Sequence, residues 1–227
     1  MLSKPVPAWI LFGGFTLAAV AGSINAVGFL GLNHQALAHM SGPLTILSNE
    51  IARGDGTLAF NAFLLIASFF TGCVLSAVIV RQGALKLGRR YGFVLILEAG
   101  CLFTAWWLLE QNNSGGEFLA AFACGIQNAM ASSYSGAVIR TTHMTGIITD
   151  LGIALGHAVR GESVDRRRAG LYTVLLAGFF FGGICGSYGF IKIGFNTLLV
   201  PATAVGLAGL SYTLVDYARK QSAQSDD

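Results

Sequence analysis

Apolar residues run along this chain in blocks too long for a water-soluble fold. Six stretches, 7–30, 57–80, 91–109, 118–139, 169–191 and 196–216, are mainly apolar over about twenty residues, the length a helix needs to cross the ~30 Å hydrocarbon core of a bilayer. Two further apolar pieces, 43–52 and 144–159, are too short or too polar to cross alone, and the second carries Asp150 and His157. The pattern predicts an all-α polytopic membrane protein of six spanning helices plus two short re-entrant or tilted helices, forming a single integral membrane domain over 1–227. The first block follows Lys4 and reaches small residues at 19–23, as a signal peptide would. Its length and the recurrence of its end later in the chain favour a mature helix.

Charge chooses between topologies. With six crossings and a cytoplasmic N-terminus, the inner side holds Lys4, Arg81, Lys86, Arg89, Arg90, Arg140, Arg160, Arg166, Arg167, Arg168, Arg219 and Lys220, against Arg53 and Lys192 outside. That is 12 to 2. An alternative eight-helix parallel repeat, in which both short pieces cross, gives 8 to 6 and no asymmetry. The positive-inside rule selects six crossings with both termini cytoplasmic, the residues 217–227 forming a short cytoplasmic tail.

The two halves of the chain repeat one another. Ala21-Gly-Ser-Ile-Asn-Ala26 returns as Cys124-Gly-Ile-Gln-Asn-Ala129, and His39-Met-Ser-Gly-Pro-Leu-Thr45 as His143-Met-Thr-Gly-Ile-Ile-Thr149. Ser68, Gly72 and Ser76 match Gly178, Gly182 and Gly186, with Phe69-Phe70 matching Phe179-Phe180, and Gly100 pairs with Gly206. Repeat one covers about 7–109 and repeat two about 118–216. Three crossings per half is an odd number, so the halves are expected in opposite orientations, as inverted repeats. In such folds discontinuous helices meet near the midplane. Irregular backbone at that depth is tolerated only inside protein or beside a wet cavity, so the two His-Met-x-Gly turns are expected to wall one.

These motifs resemble the YoaK-like family of bacterial membrane proteins, labelled domain of unknown function 1275. The resemblance covers nearly the whole chain and is strongest at Gly125-Ile-Gln-Asn128 and Arg140-Thr-Thr-His-Met-Thr-Gly-Ile-Ile-Thr-Asp150. In the first half the chain has Asn25 where the family usually has an Asp, and Ser41-Gly42-Pro43 in place of its Thr-Gly-Asn. The resemblance implies a polytopic protein of the bacterial inner membrane. It brings no substrate.

The polar residues inside the apolar blocks are the candidate chemistry. His39 and His143 open the short pieces, where an imidazole either moves a proton near neutral pH or braces the turn through a backbone carbonyl. Asp150 follows His143 by seven residues, on the same face if the piece is helical, and a carboxylate at membrane depth is a functional hypothesis by default. Its structural alternative is an ion pair with Arg140 or a helix cap. Glu98 either faces a cavity or snorkels towards Arg89 and Arg90. Asn25, Gln127 and Asn128 either line a polar site or hydrogen-bond across helices. Ser41, Thr45, Thr145 and Thr149 offer hydroxyls to the same site or bond back to their own helix. Glu50, beside Arg53 and Asp55, reads as solvated at the outer mouth.

The rows Ser68/Gly72/Ser76 and Gly178/Gly182/Gly186 are small-residue faces that let helices approach closely. The expectation is that 57–80 and 169–191 pack on one another, with a homo-oligomer seam as the second reading. Cys73, Cys101, Cys124 and Cys185 read as small buried hydrophobes.

Composition agrees with a membrane class. Hydrophobic residues make up 54% and charged residues 11%, far below the roughly 25% charged of soluble domains. A net charge of +3 without a clustered basic surface argues against nucleic acid as a partner. The partners expected are the lipid bilayer and a small solute. Two histidines without a third ligand propose no metal, and no nucleotide loop, cofactor motif or catalytic motif is present, so no cofactor and no enzyme activity are expected. The sequence therefore reads as a secondary transporter or exporter, with a channel, a membrane scaffold or an intramembrane enzyme as alternatives.

Overall fold

A computed structural model describes residues 7–32, 36–80, 89–134 and 141–225. Among them the secondary structure is helical: α1 (Ala8–Gly31), α2 (Ser41–Arg53), α3 (Gly56–Ile79), α4 (Arg89–Glu110), α5 (Gly115–Tyr134), α6 (Met144–Val159), α7 (Arg166–Ile193) and α8 (Leu199–Ser225), with a 3-10 turn at Gly194–Leu198 before α8. Four stretches of these helices are long and apolar enough to cross a membrane: Ala8–Gly31, Gly56–Ile79, Arg90–Glu110 and Arg166–Val215, the last taking in α7 and much of α8. Large apolar side chains such as Phe12, Phe70, Val78, Phe180 and Ile191 stand exposed on these helices, a surface suited to lipid rather than water. The last expected span opens later than 196 because of the 3-10 turn, and α8 carries on into the expected tail.

Two hairpins tie the short helices to the long ones that follow. α2 ends at Gly54, whose φ of +79° is the left-handed conformation glycine accepts without strain, and Asp55 then accepts the Thr57 and Leu58 N–H groups at 3.1 and 3.0 Å to start α3. The link from α6 to α7 uses the same parts. Gly161 has φ +76°, and Asp165 accepts the Arg167 and Arg168 N–H groups, both at 3.1 Å. Consequently α2 packs on α3 and α6 on α7. At 13 and 16 residues the short helices are about 20 and 24 Å long, less than the hydrocarbon thickness.

Close backbone contact joins the long helices. α1 lies along α7, and α3 along α5. A Cβ added at Gly182 would run into the Ala19 carbonyl, one at Gly178 would lie 2.6 Å from Phe15 O, and one at Gly186 2.6 Å from Ser23 O. The order 15, 19, 23 against 178, 182, 186 means α1 and α7 are parallel. Gly22 on α1 meets the Phe179 carbonyl, as Gly125 on α5 meets the Phe69 carbonyl. Gly72 on α3 likewise meets the Phe122 carbonyl on α5. The small-residue faces of α3 and α7 are thus used against α5 and α1, not against each other, and among the described residues α3 and α7 share no contact.

α4 pairs with α8 in the opposite sense. Gly92 meets Gly209 and Thr213, Gly206 meets Ala99, and the Trp106 indole N–H donates to Asn196 Oδ1 at 3.1 Å. Rising numbers on α4 meet falling numbers on α8, so this pair is antiparallel. α4 also packs closely along α5, and one continuous core runs through α1, α3, α4, α5 and α8.

The packing predicts asymmetric tolerance at glycine. Gly182→Leu would overpack a backbone contact, at about 2–3 kcal/mol. Gly170→Ala on the same helix adds a Cβ into open space and should leave the thermal midpoint in detergent unchanged. Equal midpoints for the two variants would contradict the α1–α7 contact.

Candidate functional site

The chain leaves α1 and folds back beside it. Ala36, Leu37 and Ala38 are buried, and the Ala38 N–H donates to Asn25 Oδ1 at 3.1 Å. Asn25 sits six residues before the end of α1, so the returning strand of chain reaches about 9 Å down the helix before α2 starts back. The second half does the same. Thr141 and Thr142 are buried, and the Thr142 hydroxyl donates to Asn128 Oδ1 at 3.0 Å, again six residues before the described end of α5. Each asparagine is the bracket of a His-Met-(Ser/Thr)-Gly turn.

The histidines differ. His39 is half-buried with Nδ1 lacking a partner, one residue ahead of the Met40 N-cap. His143 is itself the N-cap residue of α6 and is exposed, its ring folded over Gly146, where no side chain is in the way. Pro43 enters the first turn of α2, where its missing N–H is harmless. Two of the four hydroxyls expected at the site bond back to their own helices: Thr45 Oγ1 to Ser41 O and Thr149 Oγ1 to Thr145 O, both at 2.9 Å. α2 and α6 share no contact among the described residues, so the short helices stand apart.

Asp150 is paired with Arg168, and Arg140, its partner in the sequence reading, lies outside the described residues. Arg168 on α7 donates to it at 3.0 Å while also donating to the Tyr172 hydroxyl at 2.9 Å. The pair is well exposed and borders a cavity of about 240 Å3 with His157 and Asp165. Such a pair adds at most about 1 kcal/mol. Glu50 corrects the sequence reading: it is buried, not solvated, and holds Arg53 at 3.0 Å.

Glu98 takes the inward of its two expected directions. It does not snorkel. Its side chain is 0% exposed, and neither carboxyl oxygen has a hydrogen-bond partner. Gln127 on α5 is 1% exposed with both side-chain polar atoms equally unpartnered, and Ser76 Oγ on α3 is buried without a partner too. Glu98 lies near the thiols of Cys101 and Cys124. Unmade hydrogen bonds on buried groups cost about 1–3 kcal/mol each, more for a charge.

A cavity of about 260 Å3 opens at the end of the molecule holding the start of α1. Trp9, Phe12, Tyr91, Leu95, Met130 and Tyr212 line it, from α1, α4, α5 and α8. Tyr91, Leu95 and Glu98 follow at i, i+4 and i+7, one helix face, and Gln127 precedes Met130 by three. Glu98 and Gln127 therefore lie one turn beyond the cavity floor. Sequence reading missed this cavity because its aromatic lining is indistinguishable from lipid-facing residues. It also missed Gly92 and Gly209, which bring α4 and α8 together.

A family model described as protein of unknown function (DUF1275) matches residues 13–211. No curated protein and no solved structure matches the chain.

The brackets are testable by deletion. Asn25→Ala strands the buried Ala38 N–H and should cost about 1–3 kcal/mol, read as a lower thermal midpoint and faster hydrogen exchange at residue 38. Asn25→Asp keeps the acceptor and should stay near wild type in exchange. An unprotected Ala38 amide in the wild-type protein would refute the bracket.

Proposed function

The chain belongs to the DUF1275 family, and we propose that it is a secondary transporter or exporter of a small solute, built from two inverted repeats of three crossings each. Helix direction supports the crossing number. Let α1, α3, α4, α5, α7 and α8 each cross once. A crossing α6 would leave α4 and α8 parallel, whereas they run antiparallel. With α6 not crossing, a crossing α2 would set α1 against α7, whereas they run parallel. Both short helices then fold back on the side they entered. This parity is independent of the charge count and agrees with it.

The inverted relation draws support from equivalent contacts. Exchanging the halves turns α1 on α7 into α5 on α3, Gly22 against Phe179 into Gly125 against Phe69, and the Asn25 bracket into the Asn128 bracket. It turns the Gly54–Asp55 hairpin into that of Gly161 and Asp165.

One observation carries transport: among the described long helices, the exchange breaks down at the pair α4–α5. α4 packs closely along α5, while its counterpart pair, α8 and α1, meets only lightly around the 260 Å3 cavity. A two-fold construction closed on one side of its buried polar groups and open on the other is what alternating access requires. Under the charge rule the open side is cytoplasmic, and the membrane is the bacterial inner membrane.

Topology comes first among the tests. With the native cysteines removed, single cysteines at Gly54 and Gly161 should label from opposite sides with an impermeant maleimide. Labelling of both from one side would sink the inverted-repeat reading. Purified protein in liposomes should then show saturable counterflow for its solute, where a channel would not.

A further inference from the structure

The cavity at the α1–α8 gap has a chemistry that selects its occupant. Its wall is almost wholly apolar, and Trp9, Phe12, Tyr91 and Tyr212 present aromatic faces. Among the described residues no Lys, Arg or His lines it, and Arg90, beside Tyr91, is exposed. One turn past the floor stands Glu98, fully buried, with both oxygens unpartnered. A neutral apolar solute would make no use of that carboxyl, and an anion would be repelled by it. An inorganic cation would have to shed a strongly held hydration shell against this apolar wall. A cation with an apolar shell uses both: its bulk replaces apolar surface, ring faces attract its charge, and the carboxylate supplies the counter-ion.

We propose that this cavity takes a hydrophobic organic monocation, with Glu98 as its counter-charge, and that the cation and a proton compete for that carboxyl group. The assignment rests on the transporter reading and gives it a substrate class and a coupling ion. When the cation enters, the carboxyl O–H gives its proton to water and the carboxylate pairs with the cation. When the cation leaves, a proton from the other side restores the acid. No covalent bond to the solute changes. An unpaired buried carboxylate is too costly to persist, so the site is expected to hold one partner or the other, which makes the exchange obligatory. Leu95 and Met130, the cavity residues one turn short of Glu98 and Gln127, form the apolar floor that must part. Among the described residues the other titratable groups on this side are Cys101 and Tyr91 on α4 and Cys124 on α5 with Cys73 of α3 behind it, while Tyr212 on α8 lines the cavity. None is a cation that competes for the carboxylate.

The probe is benzyltrimethylammonium, titrated into the purified full chain in detergent and in weak buffer, with proton release followed alongside binding. The expected result is saturable binding that releases close to one proton per cation and tightens as pH rises. Glu98→Gln, eluting as a folded, monodisperse protein, should bind about thirtyfold or more weakly and release no proton. Glu98→Asp should keep proton release with altered affinity, so loss in Glu98→Gln is not mere misfolding. Neopentylbenzene, the neutral analogue of the same shape, should not displace the probe. The proposal is overturned by no binding to wild type, by equal binding to Glu98→Gln, by binding without proton release, or by equal displacement by neopentylbenzene, which would make the cavity a seat for lipid chains. Binding is read without transport, so its failure leaves the labelling test of topology standing, and the converse also holds.

Discussion

Backbone-to-backbone contact at glycine is the constraint on which this structure depends. In a bilayer the lipid tails are as apolar as the side chains, so burying apolar surface does not by itself drive helices together. What remains is close packing, and the α1–α7 and α3–α5 pairs achieve it where Gly22, Gly125, Gly72 and Gly182 admit a neighbouring carbonyl. Every other placement follows. The paired helices set the positions of α1 and α5, and with them Asn25 and Asn128, which hold the returning chain. α4 and α8 fill the remaining side through their own glycines, Gly92 and Gly209.

The same logic explains what could be read from sequence. Helix positions were legible because a spanning segment announces itself by length and apolar content, and the recurrence of His-Met-(Ser/Thr)-Gly marked both turns. The partners of the small-residue faces were not. A small-residue row says that a helix approaches another closely and nothing about which one. The signal for the true partner lies in the recurring Ala-Gly and Cys-Gly of α1 and α5, three residues ahead of the asparagines.

Glu98 shows a different limit. In a soluble helix a charged residue on an apolar face is conspicuous, because the opposite face is polar. Here both faces of α4 are apolar, so sequence leaves the direction of residue 98 undetermined, and only the contacts with α5 and α8 settle that it points inwards. Glu50 misled for the opposite reason. Its neighbours Arg53, Gly54 and Asp55 read as a solvated turn, yet packing of α2 on α3 covers it.

The pairing of α1 with α7 also sets an order of events during synthesis. α1 ends at Gly31 and α7 begins at Arg166, so the glycine-bearing face of the first helix has no partner until most of the chain has been made. At the usual pace of a ribosome that interval is on the order of ten seconds. Throughout it α1 must wait in the bilayer with its packing surface uncovered, while α3 and α5, far closer in sequence, can join first. α1 is thus locked late, and a nascent chain cut short anywhere before α7 leaves it without that partner.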